Sequence, residues 1–308
     1  MKIIALTDKR NSQGAMTNGV KAAMAMGRVG HDVRVVTHEA LNLEALHWAD
    51  LVVAFGTLLY LRHVSQAKWI SENKLPGTRF VLWYFDACNP AFRHSQHKVG
   101  AMHKIAPLLD HLFMTDHSYE WELYQPHFTQ LMQGVDPDEF NHKVASYERR
   151  RCDAIFTGTQ MPIFGEREAM LRQVAKMCSL RWVGANPSRR VVGNDFFAAY
   201  QTAKVAFVPP PPKCVNSHYW SNRLYLAAGT GTPCLVGYTP GIEQHYEDEK
   251  EVIYFRNDTE MKVKLILLLG DTALRQKIGT AGRARTLRDH TYDQRVKCLI
   301  GEAMKENA

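Results

Sequence analysis

No apolar run in this sequence reaches the roughly 18 residues that span a bilayer, so no membrane-crossing helix is expected. The opening Met1–Asp8 stretch is too short for a secretory signal and soon meets an acid; it reads as a first buried strand. Cysteine is sparse and scattered: the six, at 88, 152, 178, 214, 234 and 298, include no C-x-x-C pair. That leaves no zinc signature and makes a reduced, cytoplasmic setting the simplest expectation. The dinucleotide fingerprint G-x-G-x-x-G is missing, no segment repeats, and nothing in the composition indicates disorder or collagen.

What is present is enough chain, 308 residues, for two cores of about 150 residues each. The formal charge of +7 favours polyanionic partners. Its distribution is blocky. Arg62–Lys104 holds seven Lys/Arg against Glu72 and Asp86, Ile105–Glu148 holds eight acids and one lysine, and Arg149–Arg223 holds twelve Lys/Arg and four acids. Solvated surface is the plain alternative for such blocks.

Short β-rich apolar runs alternate with helix-length segments. Strands are expected at Lys2–Thr7, Asp32–Thr37, Asp50–Gly56, Arg79–Asp86, His111–Thr115 and Gln130–Gln133, with helices near Thr17–Arg28, Leu58–Ser71, Val99–Leu109 and Ser118–Tyr124. The pattern restarts with strands at Cys152–Thr157, Leu180–Val183, Lys204–Val208, Cys234–Val236 and Glu251–Phe255. Helices fit Glu166–Met177, Asp195–Thr202, Ser221–Ala228 and Glu260–Leu269. Alternation of this kind predicts an α/β protein of two Rossmann-like, doubly wound domains facing a cleft. The turn-rich, charged stretch from Asp136 to Arg151 marks the seam. It divides a first domain, 1–148, from a second, 149–288. Thr291 and Gln294 form a capping-box pattern opening a last helix, within 289–308, expected to cross back to the first domain.

Chemistry is expected in loops just after strands. Gly14, in Asn11–Gly19, and Gly158 with Thr159 would let backbone N–H groups approach a phosphate or sugar. Gly184 and Asn186 end another strand and could frame a flat base. Each is equally readable as a structural turn. Strand Lys204–Val208 runs into Pro209–Pro212 and then His218 and Ser221. Ser221 is a plausible N-cap for a helix whose free N–H groups would suit a diphosphate, with Asn222 and the forked cation Arg223 in its first turn. The turn Gly237–Gly241 could contact a donor sugar or be a tight junction. Asp86, closing Trp83-Tyr84-Phe85-Asp86, could be a general base or merely cap the next turn. Between Ala87 and Lys104 lie Arg93, His94, His97, Lys98, His103 and Lys104 with no acid, a set able to grip acceptor phosphates. The histidines show no ligand spacing, so no metal is expected.

The run Ser221–Val236 resembles the donor-site helix of the retaining GT-B glycosyltransferases, closest to the spore-maturation-type branch, where Ser-x-Arg-x-aromatic-Glu precedes a Gly-x-Pro strand. Gln133–Phe140, His290–Arg295 and Trp83–Asp86 fit the same pattern. The resemblance implies a nucleoside-diphosphate sugar, with UDP the expected nucleotide, bound in the second domain near Arg223, an acceptor on the first domain, and no obligatory metal or other cofactor. Two positions depart from it. Leu226 stands where a ribose-binding Glu is usual, and His218 stands at another acidic position. Glycosyltransferases of bacteriophages that decorate modified DNA bases are similar in size and charge, so DNA with a hydroxylated base is the expected acceptor. A cell-surface glycan or lipid carrier is the rival acceptor; a nucleotide-sugar epimerase and a non-catalytic nucleotide-sugar-binding protein are the rival activities.

Overall fold

The computed structural model describes residues 1–8, 16–56, 64–88, 96–117, 119–160, 165–184, 191, 193–212 and 218–305. The chain divides into two units. The first is Met1–Asp136 with Tyr292–Ala308, and the second is Pro137–Thr291.

In the first unit the strands are β1 (Lys2–Leu6), β2 (Asp32–Val36), β3 (Leu51–Gly56), β4 (Arg79–Tyr84), β5 (His111–Met114) and β6 (Phe128–Gln130). All pair in parallel, in the order β2-β1-β3-β4-β5-β6. Helices α1 (Asn18–Arg28), α2 (Leu43–Trp48), α3 (Val64–Asn73), α4 (Gln96–Ile105) and the single turn α5 (Tyr119–Glu122) connect them. Successive side chains point to opposite faces of a strand, and here both faces are apolar. Ile4, Val52, Leu82 and Leu112 pack on one side, and Ile3, Val53, Trp83 and Phe113 on the other. This two-sided burial is why the strands read as continuous hydrophobic runs. The expected strand at Gln130–Gln133 instead occupies Phe128–Gln130, because Phe128 is what pairs with Leu112. Leu131 N–H still donates to Met114 O at 2.7 Å, while its carbonyl turns out of the ladder and accepts the Trp83 indole N–H at 2.9 Å.

In the second unit β7 (Cys152–Thr157), β8 (Leu180–Val183), β9 (Ala203–Val208), β10 (Cys234–Gly237) and β11 (Ile253–Phe255) form a parallel sheet in the order β11-β10-β9-β7-β8. Its helices are α6 (Gly165–Met177), α7 (Gly193–Gln201), α8 (Arg223–Gly229), α9 (Asp258–Gly270) and α10 (Thr272–Asp289). The polar stretch after Asp136 belongs to this unit. The Tyr147 hydroxyl donates to Gly231 O at 2.7 Å, and Phe140 packs against Gly229.

The apolar pattern does not announce α2 or α10, the latter the longest helix among the described residues at 18 residues. Gly279 and Gly282 weaken its intrinsic helicity, but both are sites of close approach. A Cβ would come within 2.4 Å of Gly231 O at one and of Glu251 O at the other. Packing therefore outweighs propensity there, and Asp271 caps the start by accepting Leu274 N–H at 2.9 Å.

The last helix, α11 (Tyr292–Ala303), belongs to the first unit. Tyr292, Val296 and Leu299 enter the core face that holds Trp83. Arg28 holds Asp293 Oδ1 at 2.7 Å and Asp136 Oδ1 at 3.2 Å, and Tyr292 N–H donates to Val135 O at 2.9 Å. No helix among the described residues is long and apolar enough to cross a membrane.

Candidate functional site

Strand order reverses in the second sheet between β7 and β9. The carboxyl ends of strands at such a reversal diverge and leave a crevice, the usual ligand position in open α/β sheets. Here a cavity of about 150 Å³ lies just beyond β9, lined by Pro209–Pro212, Tyr219, Ser221, Arg167 and Arg223.

The floor of this crevice is tightly built. The Gly158 N–H donates to Val183 O at 2.9 Å, and the Trp182 indole N–H donates to Gly158 O at 2.8 Å. Thr157 Oγ1 and the Tyr200 hydroxyl are 2.9 Å apart. Gly184, with φ +80°, lies against the Gly158 backbone. A Cβ on Gly158 would lie 2.8 Å from the Phe156 ring and 2.9 Å from Arg223 Nη2, so glycine is what lets the guanidinium reach this loop.

Arg223 opens α8, donates from Nε to Thr157 O, and lies 4.7 Å from the Phe156 ring centre. Arg167, near the start of α6, donates from Nη2 to Thr159 O and lies 5.3 Å from the same ring centre. One aromatic ring thus orients two guanidiniums. Burial, then the Arg223 charge, pushes the Arg167 pKa down to about 10, with Glu168 opposing. Burial likewise lowers Arg223, against the phenols of Tyr200 and Tyr219. Both stay charged at neutral pH, so two cations repel beside a cavity; an anion seated between them would relieve that repulsion.

Asn222, directly before α8, already has helical backbone angles and makes no side-chain cap, and Leu224 N–H donates to Ser221 O at 3.1 Å. Ser221 Oγ accepts the Arg223 N–H at 3.3 Å, the bond expected of a capping serine. Leu226 is half-buried about one turn on. His218 has φ +53°, a left-handed conformation uncommon for a non-glycine residue. Its ring packs so closely on Gly241 that a Cβ there would lie 2.5 Å from Cδ2.

Gly237, at the end of β10, abuts the proline run: a Cβ would meet Pro210 Cδ at 2.2 Å and Pro210 N at 2.5 Å. Gly237→Ala is therefore expected to push the cavity wall outward and to cost about 1–3 kcal/mol of stability, the usual range for overpacking. Urea unfolding of the variant checks this.

In the first unit, Asp86 follows β4 with its side chain 44% exposed, and its Oδ2 lies 3.6 Å from Lys98 Nζ. Lys98, grouped by the sequence with surface cations, is buried. Asp116, which the sequence reading did not single out, is 1% exposed beyond the end of β5 and accepts the Cys88 N–H at 2.8 Å. Burial pushes its carboxyl up to about 7, against the pull of the Cys88 N–H, the Trp121 side chain and Lys98. Between about pH 4 and pH 7 the folded chain keeps a proton that the unfolded chain has released, so this group's contribution to stability falls as pH rises through that window. Asp116→Asn is expected to be stabilising at about pH 8 and not at about pH 4, read by urea unfolding at both. Gly14, Asn186, Arg93 and His94 lie outside the described residues. Among the described residues no cluster of His, Cys, Asp or Glu could hold a metal ion.

Arg167 escaped the sequence reading because a lone cation in the first turns of a helix carries little signal. Its distance from Arg223 in the chain hides that both rest on Phe156.

Residues 154–301 match the family model described as glycosyl transferase-like. That match covers most of the second unit and runs into α11. No curated protein sequence matches the chain. Among solved structures, an alpha-glucosyltransferase in complex with UDP and a 13-mer DNA containing an HMU base is similar over 99% of this chain and 100% of its own, at TM-score 0.70 and 10% identity. HepE of Anabaena, solved with UDP and glucose, is similar over 98% and 99%, at TM-score 0.67 and 12% identity. Sucrose-phosphate synthase from Thermosynechococcus elongatus is similar over 98% of each chain, at TM-score 0.63 and 12% identity. At these identities the likeness is one of fold. The chain has the GT-B fold, two parallel sheets interleaved with helices.

Proposed function

We propose that the protein is a glycosyltransferase that moves a sugar from a UDP-sugar onto a hydroxylated base in DNA. The observation that carries the donor half is the pair of guanidiniums, Arg167 and Arg223, held on Phe156 beside the cavity at the strand-order reversal of the glycosyl transferase-like domain. Guanidiniums match the geometry of phosphate oxygens, and HepE and the DNA-bound alpha-glucosyltransferase were both solved with UDP. In this reading the diphosphate sits against the two arginines. The sugar C1–O bond to it breaks and the diphosphate leaves with the bonding electrons. The acceptor hydroxyl oxygen forms the new bond to C1, and its proton passes to Asp86. Stabilising the leaving charge with fixed donors is the main catalytic lever the site offers. The likeness of Ser221–Val236 to the donor-site helix of the spore-maturation-type branch supports kinship with that branch.

The DNA half rests on the fold shared with an enzyme solved on DNA, on the +7 charge, and on the basic 62–104 stretch. A base inside a duplex would have to be flipped out first. Leu226 favours one rival, a protein that binds nucleotide sugar without turning it over.

The test is to incubate the protein with a panel of UDP-sugars and DNA containing hydroxymethylated pyrimidines, then digest the DNA and weigh the nucleosides. A base heavier by one sugar residue is expected. UDP-sugar bound in calorimetry but never consumed would establish the binding-only rival, and consumption without base modification would remove the DNA acceptor.

A further inference from the structure

The first sheet also reverses its strand order, between β1 and β3. The start of α1 is pressed onto that point. A Cβ on Gly19 would come 2.3 Å from Thr7 Oγ1, just after β1, and 2.9 Å from Phe55 Cβ, in β3. Thr17 Oγ1 donates to Asp8 O at 2.6 Å. The carboxyl ends of strands at such a reversal are where open α/β sheets take a ligand.

A relay of two amides crosses these ends. Gln133 Nε2 donates to Phe85 O at 2.7 Å, and Asn18 Nδ2 donates to Gln133 Oε1 at 2.7 Å. Its direction is fixed from the Phe85 end. A carbonyl only accepts, so Gln133 must offer Phe85 its nitrogen. That leaves the Gln133 oxygen for Asn18 and obliges Asn18 to offer its own nitrogen in turn. Asn18 cannot turn over without setting oxygen against oxygen. Among the described residues, Asn18 Oδ1 and the second Nδ2 hydrogen meet no partner. The half-buried side chain therefore presents one acceptor and one donor side by side, in a set order. The relay ends on Phe85, the residue before Asp86.

We propose that Asn18 reads the edge of the acceptor base, and that Gln133 is the positioning residue that makes it take one hydroxymethylated pyrimidine and refuse the other. This rests on the DNA reading above. With the hydroxymethyl oxygen on C5 held at Asp86, the rest of the ring edge follows in a fixed order. Uracil shows an acceptor, O4, then a donor, N3–H. Cytosine shows a donor, N4–H, then an acceptor, N3. An amide free to turn over pairs with either. A locked amide pairs with one; against the other it sets donor on donor and acceptor on acceptor. Refusal of that kind is steep, because the polar groups of the site are left unpaired.

The experiment compares kcat/KM for single-stranded DNA bearing hydroxymethyluracil with that for the same DNA bearing hydroxymethylcytosine. UDP-glucose and other UDP-hexoses are the donors, and the full chain is compared with Asn18→Ala and Gln133→Met. The unmodified protein should favour one base roughly 10- to 100-fold, the worth of one two-bond base contact. Gln133→Met removes the lock and keeps the reader, so transfer to the disfavoured base should rise and the ratio should fall toward parity. A merely structural role would lower both rates together. Asn18→Ala removes the reader, so the favoured base should drop to the level of the other. Equal use of both bases by the unmodified protein overturns the proposal, as does a ratio that stays in place in either variant. If Gln133→Met does not fold, Asn18→Ala alone decides. No transfer to either base rejects the DNA reading and this inference with it; transfer with an unmoved ratio rejects this inference alone.

Discussion

Arg223→Ala is expected to lower the transfer rate about 100- to 1000-fold, the scale seen when one fixed donor to a developing charge is removed. The argument is geometric. The guanidinium is set in place before any ligand arrives, by its bond to Thr157 O and by the face of Phe156. It therefore loses little freedom on meeting a diphosphate. Alanine removes the charge and also the group for which Gly158 leaves room. Arg167, still on the same ring, would retain part of the binding, so UDP affinity should fall less than the rate does. Arg167→Ala combined with Arg223→Ala should then remove binding altogether, and a calorimetric titration with UDP follows both steps. A rate within threefold of the unmodified protein for Arg223→Ala would show that the diphosphate lies elsewhere.

Trp83→Ala is expected to destabilise the first unit by about 3–5 kcal/mol. The indole is fully buried and edge-on to Phe85 at 5.1 Å and to Tyr292 at 6.1 Å, with Phe55 at 6.0 Å. Its N–H is committed to Leu131 O, the carbonyl with which the chain leaves β6. Alanine would open a cavity and orphan that carbonyl together. Trp83→Phe fills most of the space and removes the bond alone, so it should cost roughly 1–3 kcal/mol, the penalty of an unpaired buried acceptor. Urea unfolding of the two variants, compared with the parent, separates volume from hydrogen bonding.

The parallel sheets were readable in the sequence because their strands are buried on both faces and so stand out as apolar runs between helical stretches. α10 was not, since its amphipathic signal is diluted by arginines and glycines whose purpose appears only where they touch. Arg275 donates to Leu268 O at 2.7 Å and Arg283 to Gly229 O at 2.5 Å. The site was legible in part. Arg223 could be singled out because it follows a strand, a proline run and a helix start. Arg167 and Asp116 could not, since their surroundings are assembled from distant segments: Phe156 and Thr159 for one, Cys88 and Lys98 for the other. The Ser221 side chain does accept a first-turn N–H, that of Arg223, and the one-residue difference in where the helix begins is the ordinary uncertainty of a helix end.

Because the first unit is interrupted at Asp136 and resumes only at Tyr292, its hydrophobic face cannot be closed while the ribosome is still making the intervening segment. Helix α1 can cover Ile3 and Val53 early, but Trp83 must wait for Tyr292 to emerge. The middle of the polypeptide can thus finish folding before the beginning does. A nascent chain stalled just short of α11 would carry one completed half and one sticky one.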